Sequence, residues 1–201
     1  MKTKTLLLHV CCAVCSATII ETLLREKVSP ALFFYNPNIH PREEYEERKK
    51  SVIAFARKRG LPFIDADHDT DAWFERVKGL EREPERGRRC SLCFDIRLER
   101  TALYAHENGF PVFATTNGIA RWKDMAQVDR SGRTAAKKYP GLTYWARHWR
   151  SGGALEEMSR IARTEHFYRQ EYCGCLYSLR DANEHRKRKG QPEIVIGRNF
   201  F

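Results

Sequence analysis

Seven cysteines carry most of the potential chemistry in this 201-residue chain, and they are clustered. They form three groups: Cys11, Cys12 and Cys15; Cys90 and Cys93; Cys173 and Cys175. Thiolates bind soft metals and pass electrons as dithiol–disulfide pairs, so such grouping points to metal ligation or thiol redox chemistry. Residues 1–10 hold two lysines and a short apolar stretch, too short for an export-signal core, and no small-residue cleavage site follows. A reducing, cytoplasmic compartment is expected, where a disulfide framework is out of place.

The Cys90-x-x-Cys93 spacing lets both sulfurs face one centre. With Cys11 and Cys12 they make four thiolates, which suit either zinc or a 4Fe-4S cluster. Cys15 lies one helical turn further on. Cys173 and Cys175 flank Gly174 and can close a small, strained, easily reduced disulfide ring, or else complete a metal shell. Cysteine is also commonly buried as a small hydrophobe, and structural zinc alone is a competing reading. Three groups in one chain are hard to explain as packing. The Cys-x-x-x-Cys-x-x-Cys signature of radical enzymes is absent, because position 18 is Thr18, and glycine-rich phosphate loops are absent too.

The net charge of +10 is uneven. Residues 1–120 carry 19 Lys/Arg against 17 Asp/Glu, and residues 121–201 carry 17 against 9. A basic half suits a phosphate-rich partner, although charge alone fits a solubilising surface equally well. Aromatic residues are interleaved with the cations: Arg121, Trp122, Tyr144, Trp145, Arg147, His148, Trp149 and Arg150. Looped RNA is gripped by such mixtures, so Arg121, Trp122, Arg147, Trp149 and Arg150 are candidate nucleic-acid contacts. No apolar run approaches the roughly 20 residues that span a bilayer, so no membrane partner is expected.

The elements that must position these residues alternate. Strands are expected at 5–10, 31–35, 61–64, 111–115 and 142–145, and helices at 13–25, 43–59, 94–108, 125–138 and 154–164. Residues 65–71 carry an aspartate at every second position, but Thr70 and Arg76 stand where a calcium loop needs glycine and glutamate, so this reads as an acidic helix start. Residues 81–89 read as a charged loop that delivers Cys90 to the opening of a helix, where backbone dipoles favour thiolates. The fold class is α/β: a single domain, a parallel sheet flanked by helices on both faces, over residues 1–180, with a basic polar tail at 181–201. In such sheets, sites form beyond the carboxyl ends of the strands, where Cys11 and Cys12 fall.

Four ordered motifs then resemble one family. They are Cys11-Cys12-Ala13-Val14-Cys15; Tyr35-Asn36-Pro37-Asn38-Ile39-His40-Pro41 with Glu44-Tyr45; Cys90-Ser91-Leu92-Cys93-Phe94 with Arg97-Leu98; and Tyr168-Arg169-Gln170-Glu171-Tyr172-Cys173-Gly174-Cys175. Together with Gly79-Leu80-Glu81, Glu83-Pro84-Glu85 and Thr115-Thr116, they resemble the QueH-type epoxyqueuosine reductases. The resemblance implies a HUP-like fold and conversion of epoxyqueuosine to queuosine at the wobble position of tRNA. It also implies a 4Fe-4S cluster held by Cys11, Cys12, Cys90 and Cys93, a nearby second iron that Cys15 would help bind, and Cys173 and Cys175 as the redox pair or close to it. The chain departs from the family pattern at 117–124 and in its tail.

Removing an epoxide oxygen to leave an alkene takes two electrons and two protons, drawn finally from an external electron donor. His9, Tyr35 and Asp95 are candidate proton donors by position, though each is more commonly structural. The rival from another class is a zinc-stabilised RNA-binding protein without catalysis. A second rival, a nucleotide-activating tRNA sulfur-transfer enzyme, needs a phosphate loop where this chain has cysteines.

Overall fold

The computed structural model describes residues 5–201; Met1–Lys4, part of the segment weighed as an export signal, lie outside them. Five short strands, β1 (Leu7–His9), β2 (Ala31–Phe34), β3 (Phe63–Asp65), β4 (Val112–Thr115) and β5 (Thr143–Tyr144), pair in parallel in the order β3-β2-β1-β4-β5. Seven helices connect and flank them: α1 (Ala13–Arg25), α2 (Arg42–Lys58), α3 (Thr70–Val77), α4 (Arg88–Glu107), α5 (Met125–Ala136), α6 (Ala154–Thr164) and α7 (Leu176–Arg188). The single-domain α/β reading is therefore met.

Alternation along the strands divides the core into two layers. Leu8, Leu32 and Phe34 pack with Ile20 and Leu23 of α1, Val52 and Phe55 of α2, and Ile161 of α6. Leu7, Phe33 and Phe113 face the other way, onto Trp73 of α3, Leu98 and Ala102 of α4, and Val128 of α5. Full burial of each such large apolar side chain contributes about 1.5–3 kcal/mol. Asp69 caps α3, accepting from the Ala72 amide at 3.1 Å, so the aspartate-rich stretch is a strand-to-helix connection.

Two regions differ from the sequence expectation. Helix α4 starts at Arg88, not near residue 94. Its charged first turn is satisfied from outside: Glu83 accepts from the Arg88 amide (2.9 Å), and buried Arg89 donates to the Leu80 and Glu81 carbonyls (3.2 and 3.0 Å). Cys90 and Cys93 therefore sit inside a helix. Beyond Arg180 the basic stretch continues as helix to Arg188, and the chain end returns to pair Arg169 N–H with the Asn199 carbonyl and Phe201 N–H with the Phe167 carbonyl.

Candidate functional site

The site lies beyond the carboxyl ends of β1, β2 and β4, at the point where the chain crosses from one side of β1 to the other. Asn36 follows β2 and donates to the Val10 carbonyl after β1 (2.9 Å). Its Oδ1 accepts from Arg97 Nη2 (2.9 Å), which also donates to Asn117 after β4 (3.0 Å). Arg97 is only 3% exposed. One buried guanidinium from α4 thus ties three strand ends together.

Cys11, Cys12 and Cys15 turn out of β1 into α1. Cys12 is the N-cap, its sulfur accepting from the Cys15 amide at 3.4 Å. The three sulfurs lie within 4.8 Å of one another, the only group of three or more His, Cys, Asp or Glu ligand atoms so close among the described residues. Gln170 Nε2 reaches Cys12 Sγ at 3.1 Å and Cys15 Sγ at 3.9 Å. Hydrogen bonds from the Cys12 and Cys15 thiols hold Cys11 well below the usual thiol range, helped by Arg97. The same sharing pushes Cys12 up to about 12 and Cys15 well above its ordinary value. Three sulfurs this close together form a donor set matched to a soft cation.

The other four cysteines line an adjoining small cavity of about 20 Å³, together with Asn38, Trp73, Arg89, Phe94, Arg97 and Lys123. The expected thiolate stabilisation at the start of α4 is not found. Burial comes first and pushes Cys90 up to about 12, with the neighbouring Cys173 and Cys93 sulfurs adding to it. Burial also raises Cys93, despite Arg97 nearby. Cys90 and Cys93 are not within the close sulfur triad, and the charge of Arg97 acts on both Cys11 and Cys93. Lys123 Nζ donates to Cys173 Sγ at 2.5 Å. Burial works against its charge, but the Cys173 sulfur and Glu85 outweigh it and keep Lys123 an ammonium.

The Cys173–Cys175 turn is held from beneath. Buried Arg48 donates to the carbonyls of Tyr172 and Cys173, both at 3.0 Å, and pairs with buried Glu44. Tyr168 donates to Glu44, Tyr172 to the His40 carbonyl, and the His40 amide to the Gly174 carbonyl (2.8 Å). Gly174 has φ +134°, and a Cβ there would come within 3.2 Å of Ile39 and 3.3 Å of Arg48. All seven cysteines are free thiols, and Cys175 caps α7 by accepting from the Ser178 amide (3.3 Å).

The candidate proton donors fare differently. His9 is fully buried and its pKa falls to about 3, chiefly through burial and then Arg97. Its Nε2–H donates to the Tyr35 carbonyl and its Nδ1 accepts from the Thr115 hydroxyl, so it serves as a brace between strands. Burial raises the Tyr35 phenol. Asp95 is half-buried and lines neither this cavity nor the cleft beside it. Arg97 and Gln170 stand in the motifs quoted above without having been given a role there, and Lys123 and Arg48 had no signal in the sequence.

The candidate nucleic-acid residues separate by exposure. Trp149 is buried, Arg147 is paired with Glu26 at 2.6 Å, and Arg150 donates to the carbonyls of Gly118, Ala120 and Lys123. Arg121 and Trp122 stand in solvent, with Trp122 62% exposed.

Comparison with known proteins agrees with these motifs. The family model described as Epoxyqueuosine reductase QueH matches residues 6–181. A relative named Epoxyqueuosine reductase QueH from Acinetobacter baylyi is 54% identical over 196 residues, covering 98% of this chain and 90% of its own. The protein of that name from Thermotoga maritima is 34% identical over 183 residues, covering 90% and 93%. A solved structure described as a predicted subunit of tRNA methyltransferase from Methanocaldococcus jannaschii aligns with a TM-score of 0.55 at 13% identity, covering 97% and 95%. At that identity the likeness concerns the fold alone.

Proposed function

Because the chain belongs to the epoxyqueuosine reductase QueH family and is an oxidoreductase of queuosine biosynthesis, we propose that it reduces epoxyqueuosine to queuosine at the wobble position of tRNA. In this reading Cys11, Cys12, Cys90 and Cys93 hold a 4Fe-4S cluster, Cys15 helps bind a second iron, and Cys173 and Cys175 are the redox pair. The working unit is residues 1–180, extended by the basic segment 181–201, and it acts in the cytoplasm. No helix among the described residues is long and apolar enough to cross a membrane.

The observation that carries the proposal is the convergence of Cys11, Cys12 and Cys15 within 4.8 Å beside a cavity lined by the other four cysteines. Three converging sulfurs, two of them buried and the third half-buried, fit a thiophilic metal and fit packing poorly. When bound, such iron centres supply single-electron transfer and Lewis acidity toward the epoxide oxygen.

The chain's own residues supply the rest. Loss of the oxygen as water consumes two electrons and two protons. Oxidation of the Cys173 and Cys175 thiols to a disulfide releases two of each, so the exchange balances, and an external donor then restores the dithiol. Lys123 fixes the Cys173 sulfur in the cavity and sets a positive charge where an alkoxide oxygen develops. Arg48 holds the turn that carries the pair.

The test is anaerobic purification, an absorption spectrum, iron and sulfide assays, and turnover of epoxyqueuosine-containing tRNA. Iron with sulfide and turnover is expected. Cys173→Ser or Cys175→Ser should keep the iron and lose turnover; loss of iron would move the pair into the ligand set. A colourless zinc protein without sulfide or turnover would sink the proposal and restore the non-catalytic zinc reading.

A further inference from the structure

We propose that Trp122 is a stacking platform for a nucleobase of the RNA substrate at the mouth of the cysteine cavity, with Arg121 beside it to meet the sugar–phosphate. The proposal rests on the substrate reading above and adds where the RNA is held.

Trp122 is 62% exposed, ahead of Phe200 at 51%, Val195 at 49% and Leu176 at 46%. An exposed indole on a slack loop would need no explanation, but this loop is pinned. Arg150 donates to the carbonyls of Gly118 (2.9 Å), Ala120 (2.5 Å) and Lys123 (2.7 Å). Arg86 donates to the carbonyls of Trp122 (3.0 Å) and Arg121 (3.3 Å). Arg86 is anchored in turn, because Gln127 donates to its carbonyl at 3.0 Å and to Ser91 Oγ at 2.7 Å. Two guanidiniums and an amide thus fix the backbone beneath a ring left in water. A ring fixed in advance loses little freedom when a partner binds, which favours a recognition role.

The ring's neighbours say what that partner is. Trp122 borders a shallow cleft that shares Cys90, Phe94 and Lys123 with the sulfur-lined cavity, so the two are neighbours across those side chains. A base stacked on Trp122 leaves the adjoining nucleoside next to the sulfurs. Arg121 lies 4.6 Å from the ring centroid, pairing a cation with the platform as nucleic-acid grooves do. Of the two carboxylates in the cleft, Asp124 is engaged in capping α5 and Glu85 faces the Lys123 charge. The basic half of the chain also begins at Arg121, with 17 Lys/Arg against 9 Asp/Glu to its end.

The test compares wild type, Trp122→Ala, Trp122→Phe and the remote control Val195→Ala. Anisotropy of a labelled anticodon stem-loop RNA and steady-state reduction of epoxyqueuosine-containing tRNA are the readouts. Base stacking on an aromatic ring predicts that Trp122→Ala raises Kd and KM about five- to hundredfold, with kcat much less affected. Trp122→Phe should recover most of the loss, while iron content and Tm stay at wild-type values. Wild-type Kd and KM for Trp122→Ala would overturn the platform and leave the reductase reading standing. If wild type itself neither binds nor reduces the RNA, the substrate reading fails and the platform falls with it.

Discussion

Arg48 Nη1 donates to the carbonyl oxygen of Cys173 at 3.0 Å, across 125 positions of sequence. The guanidinium is 2% exposed and the carboxylate of its partner Glu44 is fully buried. Removing one member of such a pair leaves an unmatched charge in the interior, which costs about 3–5 kcal/mol. Arg48→Met should therefore lower the unfolding free energy by that amount, read as a lower urea midpoint at an unchanged m-value. Adding Glu44→Gln should recover part of the loss. A single variant as stable as wild type would show that the pair does not hold the turn.

Gly174 is the hinge of that turn. Its φ of +134° is disfavoured for residues with a side chain, and an added Cβ would crowd Ile39, Arg48 and Asn38 at 3.2, 3.3 and 3.4 Å. Gly174→Ala is expected to cost about 1–3 kcal/mol and to reduce turnover while bound iron is kept. Gly190, at φ +66° with nothing within 4 Å, is the comparison. Gly190→Ala should show a stability loss nearer 1 kcal/mol and normal turnover. Thermal unfolding and iron assays on both variants separate the effects.

His40 gives the fold an acid sensitivity. Burial, and then the nearby His68 charge, lower its pKa from 6.5 to about 4. The unfolded chain takes up this proton first as pH falls. The contribution to stability is therefore complete above about pH 6.5 and is lost as pH drops toward 4, amounting to at most about 3 kcal/mol. His9 and His68 act in the same direction. The His40 ring stacks on Phe74 at 4.5 Å, so phenylalanine suits the shape of the site. Denaturant titrations at pH 7 and pH 5 should show a smaller difference for His40→Phe than for wild type.

In metal-free protein the thiols should differ in reactivity. Cys11 is held low by its two sulfur neighbours, whereas burial and shared charge push Cys12 and Cys90 up to about 12. Thiolates are the reactive species, so brief iodoacetamide treatment at pH 7 should label Cys11 ahead of Cys12, Cys90 and Cys93. Peptide mass spectrometry reads the order directly. Early labelling of Cys90 would contradict the upward shift that burial gives its thiol.

Much of this was legible from local signals. Helices α1 and α6 fall at the expected residues because apolar spacing and helix ends agree there. The first turn of α4 and all of α7 were hidden because their residues are charged or polar. What supports them lies just outside each helix, where apolar spacing gives no signal: Glu83 and two backbone carbonyls for α4, and the Cys175 cap for α7. The cysteine groups announced themselves by spacing. Their partners Arg97, Arg48, Lys123 and Gln170 are ordinary residue types at ordinary intervals, and only folding brings them to the sulfurs.

Cys12 and Cys175 each terminate a helix with the same sulfur that faces the chemistry. Anything that draws electron density from those atoms competes with the backbone amides of Cys15 and Ser178. The protein thus contains two native gauges. Deuterium uptake at those amides would track metal loading at one helix start and oxidation state at the other, with no foreign label attached.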